Sequence, residues 1–231
     1  YSAGIERLTH QPLSFSVSET TEGVHIHIID AELMGKGEKE KKDLYIEGVQ
    51  NNGIINHYEY IINSEGTIEI RHVLKPEGKM PLWFPRIGLT LTVSDALDQV
   101  KWYGRGPQEN YPDRKTGYPT GIYASTVQAM YEPYLMPQDY GLRTDVRWLQ
   151  LTTDKGIGLQ FKMNEWFNFN IYPYSTDNLT KAMYTYQLQK QKGMTLNLDY
   201  ATTGVGCTAR GVFGAYKAMP QEYRRTISIK P

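Results

Sequence analysis

Residues able to do chemistry gather in three places. His25 and His27 stand two apart in Gly23-Val24-His25-Ile26-His27-Ile28-Ile29, so on a strand both imidazoles leave the same face, as a pair of metal ligands must. No third ligand lies beside them in the sequence, so they read as exposed strand histidines and no metal is assigned. Carboxylates collect at Glu109, Asp113, Glu132, Asp139 and Asp145. A glycosidase needs two of them about 5–5.5 Å apart for retention or about 6.5–9.5 Å apart for inversion. Here they are interleaved with Arg105, Arg114, Arg143 and Arg147, which favours ion pairs over a catalytic dyad. The third place, Gly204-Val205-Gly206-Cys207-Thr208-Ala209-Arg210-Gly211, follows a strand without opening a helix, so it reads as a tight loop rather than a phosphate cradle. No G-x-S-x-G elbow, P-loop, dinucleotide-binding glycine fingerprint or H-E-x-x-H occurs, and no catalytic residue is assigned.

The elements that must position these groups are strands. Residues 24–29 alternate with period two between the breakers Glu22-Gly23 and Gly35-Lys36-Gly37. The mixed-sign run Lys36–Asp43 reads as a solvated loop tip. Tyr58–Ile62 and Thr67–Arg71 flank Asn63-Ser64-Glu65-Gly66, which predicts an antiparallel hairpin. Leu149–Thr153 and Ile157–Lys162 predict a second, around Asp154-Lys155-Gly156. Residues 167–171, 194–198 and 226–229 add three alternating strands. Helical signals are short: Ser175 or Thr176 caps a helix reaching about Met183, and Ser125 caps one over Val127–Met130. From about Gly104 to Arg147 periodicity fades into Gly, Pro, Tyr and Asn, a long irregular stretch of the kind that carries function or an interface. With no βαβ alternation, fixed repeat or linker, residues 1–231 read as one all-β domain.

Composition narrows the function classes. Twenty-five Lys+Arg balance twenty-five Asp+Glu, so no single-sign surface is implied for nucleic acid or anionic lipid. No apolar run approaches the ~20 residues of a membrane helix, so no membrane partner is expected. The chain opens on Tyr1-Ser2-Ala3-Gly4 with no targeting signal, which suggests a processed or excised segment. The lone Cys207 makes no internal disulfide and no structural zinc site, leaving the redox compartment open. Eighteen Tyr, four Trp and six Phe suit pleated strands, and suit sugar rings as well.

One long string carries a resemblance. Val100-Lys101-Trp102-Tyr103-Gly104-Arg105-Gly106-Pro107-Gln108-Glu109-Asn110-Tyr111-Pro112-Asp113-Arg114 is similar to the W-x-G-x-G-P-x-E-x-Y-x-D-R signature of the β-galactosidase small-chain domain. Tyr131-Glu132-Pro133-Tyr134 and Pro137-Gln138-Asp139-Tyr140-Gly141-Leu142-Arg143-Thr144-Asp145-Val146-Arg147-Trp148 resemble that family's next stretch. Phe167-Asn168-Phe169, Tyr172-Pro173-Tyr174-Ser175, Leu179 and Gly204-Val205-Gly206 follow in the same order, and Ala3-Gly4 fits the start, so the likeness spans nearly the whole chain.

The resemblance implies a galactose-mutarotase-like super-sandwich of large antiparallel sheets with short helices. Such a domain stands last in a glycoside hydrolase family 2 enzyme that hydrolyses terminal β-D-galactosides. In that class the two catalytic glutamates, and the Mg and Na often bound, belong to a separate (β/α)₈ barrel, so this chain alone is expected to be inactive and without a cofactor. Its partners would be the other domains of the same polypeptide, the galactoside through them, and a second copy in a homo-oligomer. The resemblance gives Trp102, Gly104, Arg105, Gly106, Pro107, Glu109, Asn110, Tyr111, Asp113 and Arg114 a structural role, with Arg105, Glu109, Asp113 and Arg114 as a charge-paired scaffold. Thr208, Ala209, Arg210 and Gly211 are the candidates for nearing substrate, where better-known members place a stacking Trp that this chain lacks. Tyr184 and Tyr186 stand where members often carry His. Two rivals remain on the residues: a free-standing sugar epimerase, needing a His acid and a carboxylate base, and a carbohydrate-binding module using Trp83, Trp102, Trp148 or Trp166.

Overall fold

The computed structural model describes residues 8–34, 52–207 and 211–231. The Lys36–Asp43 run and Ala3-Gly4 lie outside them. Among the described residues the strands are β1 (Leu8–Thr20), β2 (Gly23–Met34), β3 (Gly53–Ile62), β4 (Ile68–Glu77), β5 (Arg86–Val93), β6 (Gln99–Arg105), β7 (Thr120–Thr126), β8 (Arg143–Thr152), β9 (Gly158–Tyr172), β10 (Met194–Thr202) and β11 (Tyr223–Lys230), with one α-helix, α1 (Thr176–Lys181). They fall into two compact units, one running to Phe84 and including Met219–Lys230, the other Pro85–Ala218. The all-β, antiparallel class read from the sequence is what the chain adopts, and no helix among the described residues is long and apolar enough to cross a membrane.

The first unit is an antiparallel sheet in the order β1–β2–β3–β4–β11. Its central hairpin forms where the sequence predicts it. Asn63 Oδ1 accepts the N–H groups of Glu65 and Thr67, each at 3.0 Å, and Gly66 takes φ 78°, a conformation that side chains with a Cβ disfavour. Period-two alternation then sorts the faces. His27 pairs with Glu59 and Glu59 with Arg71, putting ionic groups on one face, while Asn56, Tyr58 and His72 share the other. On that second face Asn56 Nδ2 donates to Asp30 at 2.9 Å, so its Oδ1 is left to accept from His72 Nε2 at 3.1 Å, which fixes the His72 tautomer. The Tyr58 ring stacks on His72 with centroids 4.1 Å apart.

The second unit is an antiparallel sheet in the order β7–β6–β8–β9–β10–β5. Trp102, Leu149, Leu151, Phe161, Phe167, Phe169, Leu196 and Leu198 are fully buried in it. Residues 157–162 and 167–171, separate strands on sequence pattern, merge from Gly158 onward into the 15-residue β9. The β8–β9 register slips between Arg143 and Trp148, and inside that slip Asp145 sits at φ 54°. Helix α1 starts where expected, with Ser175 Oγ accepting the Asn178 N–H at 3.1 Å. The helix expected over Val127–Met130 is instead a turn, closed by Thr126 Oγ1 on the Ala129 N–H and Thr126 O on the Met130 N–H. Pro133 drives the residue before it out of the helical region, which leaves no room for a second turn. The stretch expected to be irregular also holds β7, whose alternation lasts only from Thr120 to Thr126.

Burial pushes the His72 pKa down to about 4, so the folded chain holds this ring neutral where the unfolded chain would protonate it. A depressed histidine binds fewer protons folded than unfolded, so its contribution is complete above about pH 6.5 and is lost as pH falls toward 4. Urea unfolding between pH 7 and pH 4 is expected to show a loss of up to about 3 kcal/mol from this group, and His72→Gln, which keeps an N–H donor and does not titrate, should flatten the curve.

Candidate functional site

The signature residues occupy the end of β6 and the loop that follows, and each is held by a different part of the second unit. Trp102 is wholly buried, edge-on to Phe169 at 5.9 Å, with its Nε1–H donating to Arg105 O at 3.0 Å. Gly104 lies against β8, where an added Cβ would meet Val146 Cγ2 at 2.8 Å. Gly106, joined by a cis peptide to Pro107, faces the Trp102 and Tyr123 rings, and a Cβ there would stand 2.9 Å from Tyr123. The motif glycines are therefore clearance for aromatic and sheet packing.

The polar members form a frame. Glu109, 6% exposed, accepts from Arg114 at 3.2 Å, from the Tyr111 hydroxyl at 3.1 Å, from the Gly141 N–H at 2.9 Å, and from the Tyr134 hydroxyl. Burial, with the Glu109 carboxylate beside it, pushes the Tyr134 phenol up to about 12, so it stays a donor across the physiological range. Asn110, 0% exposed, accepts from the Thr144 N–H at 3.1 Å and the Thr144 hydroxyl at 2.5 Å, and donates to Gln108 O at 3.1 Å. Arg105 pairs outside the motif, with Asp145 at 2.5 Å, and also donates to the carbonyls of Lys115 and Tyr118. Lys115 Nζ joins the same carboxylate at 2.8 Å. Burial of Asp145 is outweighed by these two cations, which hold its carboxyl below the ordinary range.

Asp113 does something different: it accepts two backbone N–H groups, Val205 at 3.0 Å and Gly206 at 2.7 Å. A Cβ on Gly204 would stand 2.3 Å from the Asp113 carboxyl carbon, so the carboxylate rests on bare backbone. The Gly204 N–H donates to Tyr216 O at 2.8 Å, closing the neck of a loop between residues 204 and 216. Of the substrate candidates, Thr208, Ala209 and Arg210 lie outside the described residues, and Gly211 is exposed with open space where a Cβ would project. The structure thus pairs Glu109 with Arg114, turns Arg105 to Asp145, and brings Asp113 to the backbone at the base of the candidate loop.

Beside the motif lies a pocket of about 220 Å³, lined by Pro112, Lys115, Asp145, Trp166, Asn168 and Tyr216 among others. Trp166 is 60% exposed, and the Arg147 guanidinium sits 3.9 Å over its ring. Trp102, being buried, is no sugar platform. Tyr184 and Tyr186 are exposed and stacked 5.5 Å apart. The sequence reading did not foresee that Tyr134 and Gly141 would serve Glu109, or Lys115 would serve Asp145; nothing local signals contacts across such spans. Glu109, Asp113 and Asp145 are all committed to cations, hydroxyls or backbone N–H groups, an arrangement that fixes loops.

The family model described as "Beta galactosidase small chain" matches residues 9–229. The chain belongs to the β-galactosidase small-chain family. Among curated relatives, a β-galactosidase of Priestia megaterium is 38% identical over 147 residues, 64% of this chain and 14% of the relative. One of Vibrio cholerae is 39% identical over 122 residues, 53% of this chain and 11% of the relative, and one of Pseudoalteromonas haloplanktis is 34% identical over 148 residues, 64% and 14%. The chain thus spans about one-seventh or less of the length of these relatives. Among solved structures, a GalM/aldose epimerase homologue from C. elegans aligns over 94% of this chain and 68% of its own, at 12% identity and a TM-score of 0.44.

For the small-chain signature the frame makes a direct prediction. Asn110→Ala strands the buried Thr144 N–H and hydroxyl, and should lower the free energy of unfolding by roughly 1–3 kcal/mol. Chemical denaturation of the two proteins side by side would measure it.

Proposed function

We propose that this chain is the C-terminal β-domain of a glycoside hydrolase family 2 β-galactosidase, where it acts without catalysing. On this reading it buttresses the catalytic barrel of the same polypeptide and lends the 204–216 loop to the rim of the sugar site. Membership of the small-chain family supports the parent's identity, as do relatives named β-galactosidase in which the matching segment is a small fraction of the whole. The single observation that carries the supporting role is Asp113, which takes the Val205 and Gly206 N–H groups and so holds the neck of the loop through the family signature itself. Thr208, Ala209, Arg210 and Gly211 stay the residues proposed to near substrate. Mg and Na, if the parent uses them, would bind on the barrel, and homo-oligomer contacts would be made by the assembled enzyme.

The epimerase rival fares worse on geometry. All five histidines, His10, His25, His27, His57 and His72, fall in the first unit, whereas the motif and its pocket fall in the second, so the second unit offers no imidazole acid. The carbohydrate-binding rival keeps two exposed candidates, Trp83 and Trp166, of which Trp166 lies at the pocket, and titration calorimetry with galactose and lactose tests it.

Two assays test the main reading. The purified 231-residue chain should not hydrolyse a nitrophenyl β-galactoside. In the full-length parent polypeptide, Asp113→Ala should lower kcat/KM about tenfold or more by loosening the loop, while a surface change such as Lys181→Ala should have no effect. Turnover by the isolated chain, or an Asp113→Ala parent with unaltered kinetics, would overturn it.

A further inference from the structure

The solvent-side face of the first unit holds a cluster that the galactosidase reading leaves unused. His25 and His27 leave the same face of β2, and β3 places Glu59 directly opposite His27 in the antiparallel register. One ring nitrogen from each histidine and one Glu59 oxygen all lie within 4.8 Å of one another. The third ligand that the sequence lacked beside the histidines is thus supplied by the neighbouring strand.

One of the three separations is already that of ligands on one ion. His25 Nδ1 stands 3.4 Å from Glu59 Oε1, and two donors on a tetrahedral zinc, each bonded at about 2.0–2.1 Å, are themselves about 3.4 Å apart. The rest of the approach falls to His27, the exposed member of the set. The carboxylate is already oriented: Arg71, paired with Glu59 across β3 and β4, donates to Oε2 at 3.0 Å and leaves Oε1 on the histidine side. Arg71 is itself balanced by Glu69 at 2.8 Å. That is the outer hydrogen bond by which a ligating carboxylate is commonly held. His25 Nδ1 contacts Glu59 Oε1 directly, a contact that an ion shared by the two groups would replace, while the buried His25 Nε2 has no hydrogen-bond partner.

We propose that His25, His27 and Glu59 form a binding site for a divalent transition-metal ion of the zinc class, with a fourth position open to water. Two imidazoles and one carboxylate suit zinc, and disfavour magnesium and calcium, which take oxygen ligands. Bound there, the ion ties β2 to β3 through side chains as well as backbone and stabilises the first unit.

Titration calorimetry of the 231-residue chain with ZnCl₂ in metal-stripped buffer tests the site, on a Cys207→Ser background that removes the exposed thiol. The result expected is one ion bound per chain with a micromolar Kd and no saturable heat from MgCl₂. His27→Ala and Glu59→Gln should each weaken zinc binding about tenfold or more. His10→Ala, which alters the separate His10–Glu32 contact, should leave it intact. Thermal unfolding in EDTA should show all variants folded, and zinc should raise Tm only where the three ligands are present. Absence of saturable zinc binding, or binding that survives both His27→Ala and Glu59→Gln, would overturn the proposal.

Discussion

Two backbone N–H groups meeting one carboxylate are the hinge of this structure. Asp113 lies in the family signature after β6, and Val205 and Gly206 follow β10, so a contact 92 residues long in sequence fastens one loop to the base of another. A carboxylate accepting backbone N–H groups makes strong, short bonds, and here no side chain intervenes, since Gly204 presents only bare backbone. Everything proposed for the 204–216 loop presupposes that its neck stays where Asp113 holds it.

The remaining signature residues keep Asp113 in place. Glu109 draws Arg114, Tyr111, Tyr134 and the Gly141 N–H onto one buried carboxylate, and Asn110 ties the same loop to Thr144 at the start of β8. Arg105 and Lys115 close the other side through Asp145, which the register slip in β8 turns out of the strand at φ 54°. A buried polar network stabilises only when each member is satisfied, and the Glu109 and Asn110 oxygens are. The density of ionisable side chains in this region therefore reflects anchoring of a loop.

What the sequence revealed follows the range of each interaction. The β3–β4 and β8–β9 hairpins were legible because Asn63, Gly66 and Gly156 write their turns locally, and α1 was legible because Ser175 caps it within three residues. The Val127–Met130 turn was misread as a helix because a capping hydroxyl, there from Thr126, also closes a single turn. β1 escaped notice because its mostly exposed residues give weak apolar alternation. The signature gave the family, yet it could not show that Arg105 would choose Asp145, or that Asp113 would choose backbone. Those pairings depend on which strands lie side by side, as does the meeting of Glu59 with two histidines one strand away.

The most direct measurement is amide hydrogen exchange at Val205 and Gly206 in the native chain and in Asp113→Ala. If the carboxylate holds the neck, these two amides are protected in the native chain and lose protection in the variant, while the buried β10 amides keep theirs. Equal protection at Val205 and Gly206 in the two proteins would contradict the account.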